Sequence, residues 1–206
     1  MKEQWVGIDL AGSERRPTGF CLLEGREARV SVLYTDEQIL REIGSRVKAV
    51  AIDAPLSLPR GRCCLEDDCP CAGTAHFRVC DLELRKMKIK FFPITLGPMR
   101  KLTSRGLALK EKLERRGLPV FETYPGAAQD IWGIPRQKNP EGLQEGLKRF
   151  GIKGNWLESQ VTAHELDALT CAIVARDYLK GKAMVIGDPE EGLMILPPKT
   201  RSSNTA

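Results

Sequence analysis

Trp5-Val6-Gly7-Ile8-Asp9 is an apolar run that stops on a carboxylate. The same grammar returns at Val50-Ala51-Ile52-Asp53 and at Leu118-Pro119-Val120-Phe121-Glu122, while Asp167 sits on a helical stripe that continues through Leu166, Leu169, Ile173 and Val174. Carboxylates are almost never buried without a partner. Acids gathered at one place repel each other and raise each other's pKa unless a divalent cation supplies compensating charge. Asp9, Asp53, Glu122 and Asp167 therefore lead to the expectation of a metal-dependent hydrolase.

Working outward from Asp9, the first third of the chain reads as strands at 4–10, 18–24 and 28–34, a helix at 36–46 and a strand at 48–53. Gly25-Arg26-Glu27 is short enough to make the second and third strands a hairpin, so the first three form an antiparallel meander. Asp36 is the expected N-cap of the helix, and a right-handed crossover sets 48–53 parallel to the first strand. Asp9 and Asp53 then share the C-terminal edge of neighbouring strands, where open α/β sheets bind ligands.

Residues 54–75 read as a loop insertion rich in Pro, Gly and Cys. Helices are expected at 76–88 and 98–116, then a strand at 118–122 that brings Glu122 to the same edge. Residues 125–160 carry short helical stretches at best. Thr162-Ala163-His164-Glu165 predicts a capping box for a helix running to about 179, on which His164 and Asp167, three apart, share a face. Strands at 183–187 and 193–196 make a terminal hairpin. The expectation is a single α/β domain over 1–198, with a Cys-rich insertion at about 60–77 and a disordered polar tail at 199–206.

Two Mg²⁺ or Mn²⁺ ions roughly 4 Å apart can activate a water and stabilise the leaving oxygen of a phosphodiester, and they require carboxylate ligands rather than thiolates. In this reading Asp9 bridges both ions and Asp53, Glu122 and Asp167 complete the shells. His164 is expected to orient the water, bind a metal or contact the scissile phosphate.

Charge points to the partner. The net charge is +5, but between Arg78 and Arg116 there are 12 Lys or Arg against 4 Asp or Glu. Arg78, Arg85, Lys86, Arg100, Lys101 and Arg105 are expected to form a basic wall that holds the phosphates of a nucleic acid, DNA or RNA, beside the acids. A second reading pairs Arg78 and Arg85 with Asp81 and Glu83 on their own helix. With Phe, Trp and Tyr at only 6% of residues, no interleaved aromatic platform is visible, which favours shape or backbone recognition. No apolar stretch approaches the roughly 20 residues of a membrane span, and no basic-then-apolar leader opens the chain. A soluble, cytoplasmic protein is expected.

Seven cysteines in such a chain suggest thiols or metal rather than a disulfide framework. Cys21 and Cys171 fall on apolar elements as small hydrophobes. Cys63, Cys64, Cys69 and Cys71, with His76 and Cys80 nearby, supply enough ligands for a structural Zn²⁺. Their spacing departs from the usual two-residue knuckle, so a thiol-only loop is the alternative.

This order of elements resembles the ribonuclease-H-like superfamily: a mixed sheet of three antiparallel strands then parallel strands, flanked by helices, with an acid-bearing closing helix. His164-Glu165-Leu166-Asp167-Ala168-Leu169 is similar to the closing helix of the RuvC branch of Holliday-junction resolvases, which places an acid or His three residues before Asp-Ala-Leu. Gly7-Ile8-Asp9-Leu10-Ala11-Gly12-Ser13, Ile52-Asp53-Ala54-Pro55-Leu56-Ser57, Arg78-Val79-Cys80-Asp81, Glu122-Thr123-Tyr124-Pro125-Gly126 and Gly187-Asp188-Pro189-Glu190-Glu191-Gly192 resemble a family of predicted ribonuclease-H-fold nucleases carried as a domain of unknown function. The resemblance runs nearly end to end and implies that fold, with nuclease activity as the family's prediction. The cysteines before Arg78 depart from its pattern, so 62–77 reads as an insertion peculiar to this chain or its near relatives.

Two other readings use the same residues. Asp9-Leu10-Ala11-Gly12-Ser13 resembles the first phosphate loop of the actin and sugar-kinase phosphotransferases, but these need a second Gly-rich loop and two duplicated lobes, for which 206 residues are too few. The other is a non-catalytic scaffold that binds nucleic acid or a protein and keeps its acids for structure.

Overall fold

A computed structural model describes residues 2–66, 68, 70–71, 76–158 and 160–199. The elements in chain order are β1 (Gln4–Asp9), β2 (Thr18–Glu24), β3 (Glu27–Leu33), α1 (Asp36–Glu42), β4 (Val47–Asp53), α2 (Val79–Lys86), α3 (Gly97–Glu114), β5 (Val120–Glu122), α4 (Pro125–Trp132), α5 (Pro140–Leu147), β6 (Lys153–Gly154), α6 (Ala163–Leu179), β7 (Met184–Asp188) and β8 (Gly192–Leu196). Among the described residues these eight strands join one sheet in the order β6-β3-β2-β1-β4-β5-β8-β7. β1 pairs antiparallel with β2 and parallel with β4, and β4 pairs parallel with β5. The expected meander, crossover and parallel extension are therefore present.

Alternation along the strands divides the core between two faces. Trp5, Ala49 and Ala51 point to one side and pack with α6 through Ala168, Leu169, Ala172 and Ile173. Val6, Ile8, Val50 and Ile52 point to the other and pack with Ile39 of α1 and Leu109 and Leu113 of α3. A smaller cluster of Cys80, Leu84, Ala127, Met194 and Leu196 ties α2 and α4 to β8.

α6 lies unusually close to the sheet because glycines leave room for its backbone. A Cβ on Gly7 would fall 2.0 Å from the Ala168 carbonyl oxygen, and one on Gly19 would fall 1.9 Å from that of His164. Its N-terminus is fixed by the expected capping box: the Thr162 side chain accepts from the Glu165 N–H, and the Glu165 carboxylate accepts from the Thr162 N–H.

Several boundaries differ from the expected ones. α1 is capped by Thr35, not Asp36, because Thr35 and Gln38 satisfy each other's backbone N–H groups, and the helix stops at Glu42 rather than at 46. α2 begins at Val79, three residues later than expected, since Arg78 is held extended as its N-cap. Residues 125–160 contain two helices, each opened by a proline in its first turn, with α4 closed by Gly133 at φ 68°. Among the described residues no helix is long and apolar enough to cross a membrane. The tail from 200 to 206 and Cys69 lie outside the described residues.

Candidate active site

β1 and β4 run in register with Asp9 opposite Asp53, so the two carboxylates leave the same face at the C-terminal edge of adjacent parallel strands. This is the face α6 covers, and the close approach allowed by Gly7 and Gly19 brings His164 and Asp167 down onto it. The His164 Nδ1 donates to Asp9 Oδ2 at 2.6 Å. On the other side, Gln129 of α4 is buried and donates through Nε2 to Asp167 Oδ1 at 2.6 Å, with Thr170 Oγ1 3.2 Å away. Among the described residues Asp53 has no hydrogen-bond donor, and no lysine or arginine forms an ion pair with Asp9, Asp53 or Asp167.

The electrostatic consequence is a set of carboxylates short of positive charge. Burial, followed by the negative charges of Asp9, Asp167 and Glu122, pushes the Asp53 carboxyl well above the usual carboxylate range. Asp167 is pushed up to about 7, chiefly by burial and by the Asp9 charge, with the Gln129 hydrogen bond pulling the other way. The hydrogen bond to Asp9 raises His164 above its ordinary value, against the opposing effect of partial burial. His164 therefore favours its charged form more than an isolated imidazole does.

Glu122 does not belong to this group. Its register partner is Ile52 rather than Asp53, which turns its side chain to the opposite face of the sheet. There both carboxylate oxygens are committed: Arg78 Nη1 donates to Oε2 at 2.6 Å and Arg78 Nη2 to Oε1 at 2.7 Å, while the Leu56 N–H donates to Oε2 at 2.7 Å. Arg78 also donates to both oxygens of Asp81. Glu122 is thus an ion-pair partner, and the expectation that it completes a metal shell is corrected.

Two members of the expected basic wall, Arg78 and Arg105, are corrected in the same way. Arg78 is only 2% exposed and is consumed by Glu122 and Asp81, as the pairing alternative had it for Asp81. Arg105 is buried as a clamp, donating to Asp36 Oδ1 and to the carbonyls of Ala11 and Tyr34, which fixes the loop after β1. Arg85, Lys86 and Lys101 are exposed; Arg85 does not pair with Glu83 but lies over the Phe77 ring at 4.8 Å. Arg100 is half-buried and donates to the Thr95 carbonyl.

Among the described residues no three histidine, cysteine or carboxylate side chains enclose a common ion position. For the cysteine loop this leaves the zinc expectation without a described ligand set: Cys63 and Cys71 are exposed, Cys80 is buried in the α2 cluster with its thiol pushed up by burial, and Cys69 is outside the described residues. For the acids, Asp9 Oδ2 is turned to His164 and Asp167 Oδ1 to Gln129. Their chemistry nonetheless suits a hard divalent cation: the charges of Asp9 and Asp167 raise Asp53 and that of Asp9 raises Asp167, and Asp53 has no donor among the described residues.

Sheet order and closing helix together define a ribonuclease-H-like fold. The fold is similar to that of T. thermophilus RuvC in complex with a Holliday junction substrate, at 16% sequence identity and a TM-score of 0.50, over 87% of this chain and 96% of that one. The chain belongs to the family described as Protein of unknown function (DUF429), whose model matches residues 7–191. No curated protein matches it.

Gln129 is the contact that sequence reasoning missed. The signal for it was the Tyr124-Pro125 step after Glu122, which starts α4 and carries Gln129 one turn onward to face α6.

Proposed function

We propose that the protein is a divalent-metal-dependent nuclease that hydrolyses phosphodiester bonds of nucleic acid. The observation that carries this is the in-register pair Asp9 and Asp53, with no lysine or arginine ion-paired to either among the described residues and with His164 and Asp167 laid against it by α6. Asp9, Asp53 and Asp167 would hold Mg²⁺ or Mn²⁺, which when bound lowers the pKa of water and stabilises charge on phosphate oxygens. In the reaction a water oxygen forms a bond to phosphorus and gives up a proton to solvent, the bond from phosphorus to one ester oxygen breaks, and that oxygen leaves with the electron pair and takes up a proton. His164 is bound to Asp9 through Nδ1, which leaves Nε2 to donate to a phosphate oxygen or to the departing oxygen. Gln129 positions Asp167.

The T. thermophilus RuvC relative is seen with a Holliday junction, which supports a nucleic-acid substrate for the shared fold. The test is incubation of purified protein with labelled single-stranded, duplex, hybrid and junction substrates in Mn²⁺ and in EDTA. Cleavage that requires Mn²⁺ and is lost in Asp9→Asn supports the assignment, and cleavage retained by a folded Asp9→Asn protein overturns it.

A further inference from the structure

The carboxylate edge opens on one side into a cleft. A cavity of about 210 Å³ reaches Asp53, and it adjoins one of about 990 Å³, with Phe91, Phe92, Tyr124 and Gln137 lining both. Half of the six phenylalanines in the chain, Phe77, Phe91 and Phe92, stand in this cleft. Phe77 and Phe91 meet edge to face at 6.0 Å and form an apolar wall. Phe92 is 68% exposed, the highest value for any large hydrophobic side chain among the described residues. An exposed ring that continues an apolar wall offers a flat surface on which a planar ligand can stack.

The larger cavity is lined by basic but no acidic side chains, whereas the smaller one is lined by Asp53, Asp81, Glu122 and Arg78. Lys88, Lys90 and Lys138 line the larger cavity, none of them paired with a carboxylate among the described residues, and no acidic residue lines it. Arg85 and Arg136 lie over the Phe77 and Tyr124 rings at 4.8 and 5.6 Å, Arg136 being ion-paired with Asp130 as well. Lys88 is also the one non-glycine residue with positive φ, 61°, among the described residues. That conformation closes α2 as its C-terminal cap, the Lys88 N–H donating to the Arg85 carbonyl and the Ile89 N–H to the Leu84 carbonyl, and it leaves the Lys88 side chain exposed at the cleft.

We propose that this cleft seats the bases and phosphates of an unpaired nucleic-acid strand and delivers its backbone to Asp53, an inference that rests on the nuclease reading and narrows its substrate class to single-stranded or locally unpaired nucleic acid. Exposed aromatic rings with unpaired lysines match a polyanion that carries flat faces, and in a duplex those faces are stacked and inaccessible. Stacking of this kind tolerates any base, so the cleft selects strandedness rather than sequence.

Fluorescence anisotropy of the full chain in EDTA tests this separately from cleavage. The probes are a fluorescein-labelled mixed-sequence 12-mer as single-stranded DNA, as single-stranded RNA and as the DNA duplex, with poly-glutamate as competitor. The single strands are expected to bind at least about tenfold tighter than the duplex, and Phe92→Ala to weaken single-strand binding by roughly tenfold while leaving the duplex unchanged. Lys88→Ala/Lys90→Ala/Lys138→Ala is expected to lower the slope of log affinity against log salt by roughly 2, about 0.7 for each lost contact. Preference for duplex, unchanged single-strand affinity in Phe92→Ala, or equal competition by poly-glutamate overturns the proposal. If the strand preference and its Phe92 dependence hold but no substrate is cut in Mn²⁺, the cleft assignment stands and the nuclease reading falls. If duplex is cut and Phe92→Ala binds like wild type, the reverse follows.

Discussion

Gly19 lies directly against His164: a Cβ at position 19 would sit 1.9 Å from the His164 carbonyl oxygen. The contact is backbone against backbone, so no side-chain rotation relieves it. Gly19→Ala is expected to cost about 1–3 kcal/mol or somewhat more, the range for overpacking a tight core, and to lift the N-terminal end of α6 from Asp9. Urea denaturation reads the first effect. The second appears as a loss of Mn²⁺-dependent cleavage at a temperature where the variant remains folded.

Gln129 touches Asp167 but not the other acids, so it is expected to act through positioning. Gln129→Ala should lower Mn²⁺ affinity or cleavage by about 10- to 100-fold, the usual effect of removing a residue that orients a metal ligand. Asp53→Asn, which removes a charge from the group itself, is expected to reduce cleavage much further. A raised Mn²⁺ concentration should restore Gln129→Ala more readily than Asp53→Asn, and equal behaviour of the two would contradict the assignment.

Arg78 and Glu122 make the opposite prediction. Removing Arg78 leaves Glu122 and Asp81 buried without their cation, so Arg78→Met is expected to destabilise the fold by about 3–5 kcal/mol. Glu122→Gln should also lower stability, yet retain cleavage in the cold, because the side chain faces away from Asp53. Thermal unfolding and cleavage measured on the same preparations separate the two kinds of loss. Complete loss of cleavage by a stably folded Glu122→Gln protein would restore Glu122 to the metal shell.

The pH dependence has a definite sign. Asp167 is raised from 3.8 to about 7, and Asp53 is raised as well, so between those values the native chain holds protons that the unfolded chain releases. Their stabilising contribution is complete below the ordinary carboxylate value and is lost as pH rises through the raised one. His164, raised above 6.5, loses its contribution in the same direction. Metal-free protein should therefore weaken as pH climbs from about 4 to above 7. Mn²⁺ takes the place of the lost protons, so its gain in Tm should be larger near pH 8 than near pH 5. At a hundredfold excess over Kd that gain corresponds to about 3 kcal/mol. Scanning fluorimetry with Mn²⁺ or EDTA across this range measures it, and a pH-independent difference would rule out these carboxylates as the binding groups.

The sequence made the strand edge legible because apolar runs ending in acids mark where a buried strand meets solvent, and the capping box at Thr162 marked the helix that closes over it. It did not disclose the face on which each acid stands. Glu122 pairs with Ile52, and a shift of one position in that pairing would have put it beside Asp53. Charge counts were similarly blind to burial: Arg78 is taken by an acid 44 positions away, and Arg105 by Asp36 and two carbonyls. Low aromatic content concealed a local concentration, since three of the six phenylalanines gather around one cleft.

Glu122 Oε2 accepts from Leu56, just after β4, and from Arg78, just before α2. One carboxylate thus staples both ends of the excursion that carries the cysteines. The closure cost of such a tethered loop grows only with the logarithm of its length, about 0.6 kcal/mol per doubling. A change in the number of residues between these two anchors therefore carries little closure cost and leaves the Arg78–Glu122 pair that ends the segment in place.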